Sequence, residues 1–270
     1  MLIFGLGYTA SYLADALRST GWRVTGIKRT AGEDILAFDD VVSVLTALQS
    51  ATHILSSVPP GASEGDPVLK QYGDVISAVP ALWTGYLSST GAYGDTGGAW
   101  VDESASLGTG RRSARTDADI AWQGLRADMR IFRLPGIYGP SRSALDRVAQ
   151  SKAHRIDLPQ QIFSRVHVED IVSGVIASFT APAGVYNLAD DLPCSQNAVI
   201  EYAAQLLGRE PPPMQNLTEA ALSPMALAFY AENRRVSNMK AKRLLGWRPL
   251  YPTYKQGLSA ICDAAMPKTD

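Results

Sequence analysis

Apolar positions along the chain follow two rhythms. Short, almost unbroken apolar runs mark buried strands, and apolar residues spaced three and four apart mark helices. Met1 to Phe4 is the first such run. It leads into "GLGYTA" and then a helical stretch with Ala10, Leu13, Ala14 and Leu17 on one face, closed by Gly21 as a C-cap. "WRVTGIKR" and "ATHILSSVPP" read as strands, the second ended by its prolines. "DPVLKQYGDVISAV", residues 66–79, sets Pro after an Asp cap and keeps helical spacing. "ALWTGYLSST" and "MRIFRLPGIYG" predict two more strands. Strands alternating with helices predict an α/β fold, a doubly wound parallel sheet covered on both faces.

After Gly139 the rhythm loosens, and residues 141–164 read as a connecting segment. "RVHVEDIVSGVIASF" restores a short strand and a helix, with Asp170 placed to cap it. "GVYNLADD" adds one more buried strand. From about residue 191, two amphipathic stretches precede "RRVSNMKAKRLLGWRPLYPTYKQGL". The expected organisation is a first domain over 1–140, to which 165–190 return, and a small interleaved lobe from 141–164 and 191–270.

Composition narrows this picture only slightly. The chain has 270 residues, 46% hydrophobic and 19% charged, enough for one large domain with a full core or a domain plus a lobe. A net charge of −1 gives no reason to expect a nucleic-acid or anionic-membrane partner. There is no apolar run of membrane-spanning length and no cleavable leader pattern, and Cys194 and Cys262 form neither a metal nor a disulfide pattern. A cytoplasmic protein is the expectation.

Candidate chemistry begins at the first turn. Gly5, Gly7 and Ala10 form G-x-G-x-x-A between a strand and a helix. The first glycine permits the tight turn, the second lets backbone approach a pyrophosphate, and the small third residue lets helix pack on strand. Free N–H groups and the positive end of the helix dipole then face the phosphates. The spacing alone also suits a simple tight turn; the flanking elements favour a dinucleotide. Lys28 and Arg29 end the second strand, about 20 residues on, where NAD sites carry an acid and NADP sites an arginine. NADP is therefore expected, with NAD as the other possibility. Asp39 either meets the adenine or is a turn residue. Tyr8 and Thr9 in the turn, Ser57 after the third buried run and Pro135 in "RLPGIYG" complete the candidate cofactor contacts.

"GLGYTA", "SSTGAYGD", "RLPGIYGP", "RVHVEDIV", "YNLADD" and "LLGWRPLYPTYKQGL" occur in the order expected of the extended short-chain dehydrogenases/reductases. The chain resembles the NAD-dependent epimerase/dehydratase group, and most of all its atypical, YeeZ-like branch. The resemblance runs nearly end to end. It implies a Rossmann-type domain with a small C-terminal substrate lobe, and it carries no substrate with it. Members of the group often dimerise through helices corresponding to 66–79 and 112–128, so a homodimer is an expectation. The chain departs from the group twice. Phe4 and Ala10 stand where the outer glycines of G-x-x-G-x-x-G would be. The Tyr-x-x-x-Lys helix is missing from "GRRSARTDADIAWQ", where Arg111 aligns with the tyrosine, Arg115 with the lysine, and Asp119 follows four residues later.

The resemblance implies that Thr90, preceded by Ser88 and Ser89, orients a carbonyl, or else is a strand-end hydroxyl bonding the next turn. Arginine cannot replace the tyrosine as an acid, because it stays charged at neutral pH. Arg111, Arg112 and Arg115 suit an anionic substrate, or a solvated helix start. Arg115 is also a candidate for the lysine's contact to the nicotinamide ribose. Tyr93 is the first substitute acid, unless it packs against the cofactor or loop; Tyr138 is the other family tyrosine. Tyr251 and Lys255 have the literal spacing but lie far downstream, beside Pro252. His53 reads as a core residue, His167 as structural, and His154 as a weak candidate to face substrate. Arg165 and Arg234 are expected near the interlobe cleft, as in nucleotide-sugar enzymes. The expected function is that of an NAD(P)-dependent oxidoreductase or epimerase-like enzyme on a small, anionic or sugar-like substrate. The alternative is a catalytically silent NADP-binding sensor.

Overall fold

The computed structural model describes residues 1–108, 113–220, 222, 227 and 230–265. The first part of the chain gives strands β1 (Leu2–Phe4), β2 (Thr25–Lys28), β3 (Ile35–Ala37), β4 (His53–Ser56), β5 (Trp83–Ser89) and β6 (Trp100–Val101). The rest gives β7 (Met129–Leu134), β8 (Gly136–Tyr138), β9 (Arg155–Ile156), β10 (Arg165–His167), β11 (Gly184–Asn187), β12 (Met214–Gln215) and β13 (Arg235–Val236). The helices are α1 (Tyr8–Ser19), α2 (Val41–Ser50), α3 (Pro67–Ala78), α4 (Ala114–Leu125), α5 (Ala144–Ala149), α6 (Val168–Ala177), α7 (Gln196–Leu206), α8 (Met239–Leu244) and α9 (Tyr254–Ala265).

Seven strands form one sheet in the order β11-β7-β5-β4-β1-β2-β3, with every pairing parallel. This is a Rossmann-type α/β fold. Strand alternation divides its core in two. Ile3 packs with Leu13, Leu17, Phe132 and Ile171 on the face covered by α1 and α6. Leu2 and Phe4 pack with Val44, Tyr72, Ile76 and Trp122 on the face covered by α2, α3 and α4. The chain leaves β1 toward β2 and β3, then crosses back to place β4 on the other side of β1. That reversal opens a crevice beyond the strand ends, the usual ligand position in such sheets.

Local chemistry sets the helix ends. Gly21 takes φ +86 just past α1, a conformation that costs glycine least. Asp66 caps α3 by accepting from the N–H groups of Val68 (2.8 Å) and Leu69 (3.1 Å), with Pro67 in the first turn. Two expectations change. Residues 141–164 are not merely connecting, because Ser143 and Asp146 form a capping box that starts α5. Asp170 does not cap α6; His167 does, its ring Nδ1 accepting from Glu169 N at 3.3 Å. The Asp170 carboxylate instead accepts from Leu250 N (2.5 Å) and Tyr251 N (3.2 Å), clasping the C-terminal segment to α6. Burial pushes its pKa up to about 6.

A separate apolar cluster joins α5, α7 and α9 through Leu145, Val148, Ile200, Ala203, Tyr254 and Leu258. Beside it run three short parallel pairs, β8 with β10, β9 with β12 and β6 with β13. Among the described residues no helix is long and apolar enough to cross a membrane.

Candidate functional site

The turn after β1 is built to leave space. Gly5 has φ +81, and a Cβ there would come within 2.8 Å of Val58 Cγ2. Ser57 donates its hydroxyl to Gly5 O and its N–H bonds Phe4 O at 2.9 Å, tying the turn to the end of β4. A Cβ on Gly7 would meet nothing nearer than Gly5 O at 3.9 Å, so that side of the turn is open. Gly7 is the N-cap of α1 and supplies no side-chain acceptor, whereas α2 through α7 each begin with a capping side chain. The first N–H groups of α1, at Tyr8, Thr9 and Ala10, are left for an external acceptor. Tyr8 crosses the turn to donate to Pro140 O at 3.0 Å, with Arg142 lying over its ring. Ala10 is buried under the helix.

Lys28 and Arg29 are exposed at the end of β2, and Asp39 is exposed just after β3. This places two cations and an acid on the β2–β3 side of the crevice.

On the other side, β5 ends where the Ser89 hydroxyl accepts from Gly91 N at 3.1 Å, folding Thr90–Tyr93 into a 3-10 turn. Thr90 lines a small cleft of about 70 Å³ with Pro135, Ser164, Glu232 and Arg234. Glu232 pairs with Arg234 at 2.7 Å, and Arg234 also donates to Gly94 O. Arg115 is exposed in the first turn of α4, its side chain running past Gly91. Arg111 and Arg112 lie outside the described residues.

Tyr93 does not reach this cleft. It is 0% exposed, its hydroxyl donates to Asn187 Oδ1 at 2.8 Å, and it accepts from Arg133 Nη1 at 3.0 Å. Burial raises its pKa, with the Arg133 charge pulling only partly back. The expected role as a substitute acid therefore fails on access and on chemistry, and Tyr93 belongs to the core. Arg133 in turn grips Asp119 with two bonds, Nε to Oδ2 at 3.0 Å and Nη2 to Oδ1 at 2.7 Å. Ser88 and Gln123 also donate to that carboxylate, at 2.5 and 2.6 Å. Burial pulls the Arg133 pKa down, but the bonds and charges of Asp119 and Tyr93 more than offset it and leave it raised. A polar spine thus runs from α4 through β7 to β11. Sequence reasoning missed Arg133 and Asn187. The available signal was a charged residue in the otherwise apolar run "IFRLPG", which burial obliges to find a partner.

A larger cavity, about 440 Å³, adjoins the Thr90 cleft; both are bordered by Gly136, Phe163 and Ser164. Arg142, Arg147, Arg165, Gln196 and Tyr138 line it. Tyr138 and Arg165, singled out in the sequence, come together here. His154 lies outside both cavities, 3.3 Å from Gln215 Oε1. His53 stacks among Trp22, Trp83 and Phe179, and burial lowers its pKa to about 4. Tyr251 bonds Glu169 at 3.1 Å and packs on His167, while Lys255 lies over Tyr202, so their spacing is accidental.

No protein-family model matches the chain. A 3-diazoavenalumate denitrifying reductase from a Streptomyces species is 29% identical over 140 residues, 47% of this chain and 45% of that protein. The chain thus spans about half the length of the curated relative it matches. A functionally unknown conserved protein from Silicibacter pomeroyi is 40% identical, with a TM-score of 0.86 and coverage of 98% of this chain and 99% of that one. A human epimerase family protein crystallised with NADPH has a TM-score of 0.76 at 15% identity, covering 97% of this chain and 99% of its own. The UDP-glucuronic acid 4-epimerase of Bacillus cereus, in complex with NAD, has a TM-score of 0.73 at 15% identity, covering 97% of each chain. These likenesses show a Rossmann-type fold shared with proteins crystallised with NADPH and NAD. The chain belongs to the family of the conserved Silicibacter pomeroyi protein.

Proposed function

We propose that the protein is an NADP-dependent oxidoreductase of epimerase-like architecture, acting on a small or sugar-like substrate. The observation that carries this is the uncapped start of α1, open at Gly7, at the sheet's switch point. The residues present fit the dinucleotide. Tyr8, Thr9 and Ala10 would offer N–H groups to its diphosphate. Lys28 and Arg29 would meet a 2′-phosphate, as charge complementarity favours. The likeness to proteins crystallised with NADPH and NAD supports the class of cofactor. When bound, the nicotinamide supplies or accepts a hydride.

The chain's own groups handle the rest. The Thr90 hydroxyl would orient the reacting oxygen. Glu232, bordering the same cleft, can accept a proton from a substrate hydroxyl and return it in the reverse direction. Arg234 holds that carboxylate in place. The elements around α5, α7 and α9 would form the substrate lobe. The loss of Tyr-x-x-x-Lys and the burial of Tyr93 favour a second reading, a silent NADP-binding sensor.

Fluorescence titration with NADPH and NADH tests both readings. NADPH should bind more tightly, and Arg29→Ala should cost about tenfold for NADPH and little for NADH. Failure of either dinucleotide to bind sinks both readings. A carbonyl and nucleotide-sugar screen then separates them: turnover abolished by Thr90→Ala supports the enzyme, and tight binding with an inert screen supports the sensor.

A further inference from the structure

We propose that the cavity lined by Arg142, Arg147 and Arg165 is an oxyanion site, so that the substrate is a small carbonyl or alcohol compound bearing a phosphate or carboxylate. As a statement about substrate this rests on the reading above; as a statement about anion binding it stands on the cavity itself.

The first ground is uncompensated charge. Arg142, Arg147 and Arg165 border one space of about 440 Å³, within the usual range for small-molecule sites. None of the three is ion-paired among the described residues. Asp146, the one acid on the wall, is already committed: its Oδ2 accepts from Ser143 N and Ser143 Oγ, both at 2.7 Å. Arg165 is 6% exposed and held in place by neutral acceptors only, the carbonyls of Phe163 (3.0 Å), Cys194 (3.2 Å) and Ser195 (3.3 Å), Cys194 Sγ (3.2 Å) and Gln196 Oε1 (3.2 Å). Two like charges brought together cost energy unless something negative joins them. Arg142 and Arg147 are exposed, while Arg165 is buried. Desolvation and the Arg165 charge lower the Arg147 pKa, with Tyr230 and Asp146 pulling partly back.

The second ground is polar groups without partners. Gln196 Oε1 accepts from Arg165 Nη2, and its Nε2 is left buried and unbonded. The Tyr138 hydroxyl is likewise buried and unbonded. Both residues line the cavity, at 9% and 7% exposure. What this wall has left to offer is donors and positive charge, and the complementary ligand is an acceptor-rich anion. Asp190 sits behind Arg165 with its Oδ2 unbonded, but burial lifts its pKa to about 7, which weakens it as a counter-charge.

Continuity supplies the rest. The walls shared with the Thr90 cleft let one small molecule place its anionic end at the arginines and its carbon–oxygen group beside Thr90.

The test is calorimetry on the full chain saturated with NADPH, so that the first turn is filled, using inorganic phosphate, malonate and UDP as probes. Phosphate or malonate should bind, and Arg147→Ala should weaken that binding about tenfold or more. Arg142→Ala, at the cavity mouth, is the second variant and should weaken it as well. Phosphate binding alone would assign phosphorylated substrates and malonate binding alone carboxylates. UDP binding far more tightly than phosphate would assign a nucleotide-bearing one. No heat with any probe, or binding that neither substitution changes, overturns the proposal even if NADPH binds normally. NADPH failing to bind while phosphate responds to Arg147→Ala would instead remove the dinucleotide reading and leave the anion site.

Discussion

The Asp119–Arg133 pair offers the most direct check of the buried network. Its members are 0% and 2% exposed, and the carboxylate accepts four hydrogen bonds between 2.5 and 3.0 Å. Asp119→Asn keeps the shape but turns one acceptor into a donor that faces other donors. It also leaves the Arg133 guanidinium without a counter-charge in the core. Removing one partner of a buried pair typically costs about 3–5 kcal/mol, because the orphaned charge cannot return to water. At about 2–4 °C per kcal/mol for a domain of this size, the melting temperature should fall by roughly 6–20 °C. Guanidinium unfolding, followed by circular dichroism, should show a lower midpoint with an unchanged slope. The double variant Asp119→Leu/Arg133→Met removes both charges. It should be more stable than the sum of its single changes predicts, by about 2 kcal/mol or more. A loss below about 1 kcal/mol for Asp119→Asn, or strict additivity in the cycle, would refute the view that this pair is dry and mutually dependent.

The remaining predictions concern the first turn and pH. Gly7→Val should fold, since the space beside Gly7 is open, yet should weaken NADPH binding at least tenfold; undiminished affinity would mean that the diphosphate lies elsewhere. Gly5→Ala should instead destabilise the protein by about 1–3 kcal/mol, through its positive φ and the contact with Val58, as thermal melts will read. Asp190, raised by burial from 3.8 to about 7, keeps its proton in the folded chain while the unfolded chain loses it. Its burial therefore costs nothing below pH 4, progressively more up to pH 7, and on the order of 4 kcal/mol above that. Asp190→Asn should consequently match the parent near pH 4 and exceed its stability at pH 8; equal denaturant midpoints at pH 8 would count against the burial account.

Local rules carried the fold a long way. The apolar run at Leu2–Phe4, the glycine spacing behind it and the Asp66–Pro67 cap each act within a few residues, so sequence alone could read them. α5 was equally local, because Ser143 and Asp146 have capping-box spacing, yet the weak apolar pattern around them hid it. What could not be read was long-range pairing. Asp170 has the position of a helix cap, but its partners, Leu250 and Tyr251, lie about 80 residues away and outcompete the local bond. Tyr93 sits beside Thr90 in sequence, but the alternation of chain direction through the 3-10 turn sends it inward to Arg133 and Asn187. Glu232 reaches the Thr90 cleft, and Arg147 the adjoining cavity, from segments that carry no site motif.

That same distinction governs how charge should be read here. A net charge of −1 over 25 basic and 26 acidic residues describes an almost neutral chain. It says nothing about how the charges are paired. Arg133 is neutralised by Asp119 within 3.0 Å, and its value is structural. Arg165 is just as buried but is met only by neutral acceptors, so its field is directed into the cavity rather than cancelled. Two arginines of similar burial therefore take opposite roles, because one is bonded to a carboxylate and the other is not, Asp190 lying behind it without an ion pair. A charge that the fold leaves unpaid in a desolvated wall is a standing preference for a ligand of the opposite sign.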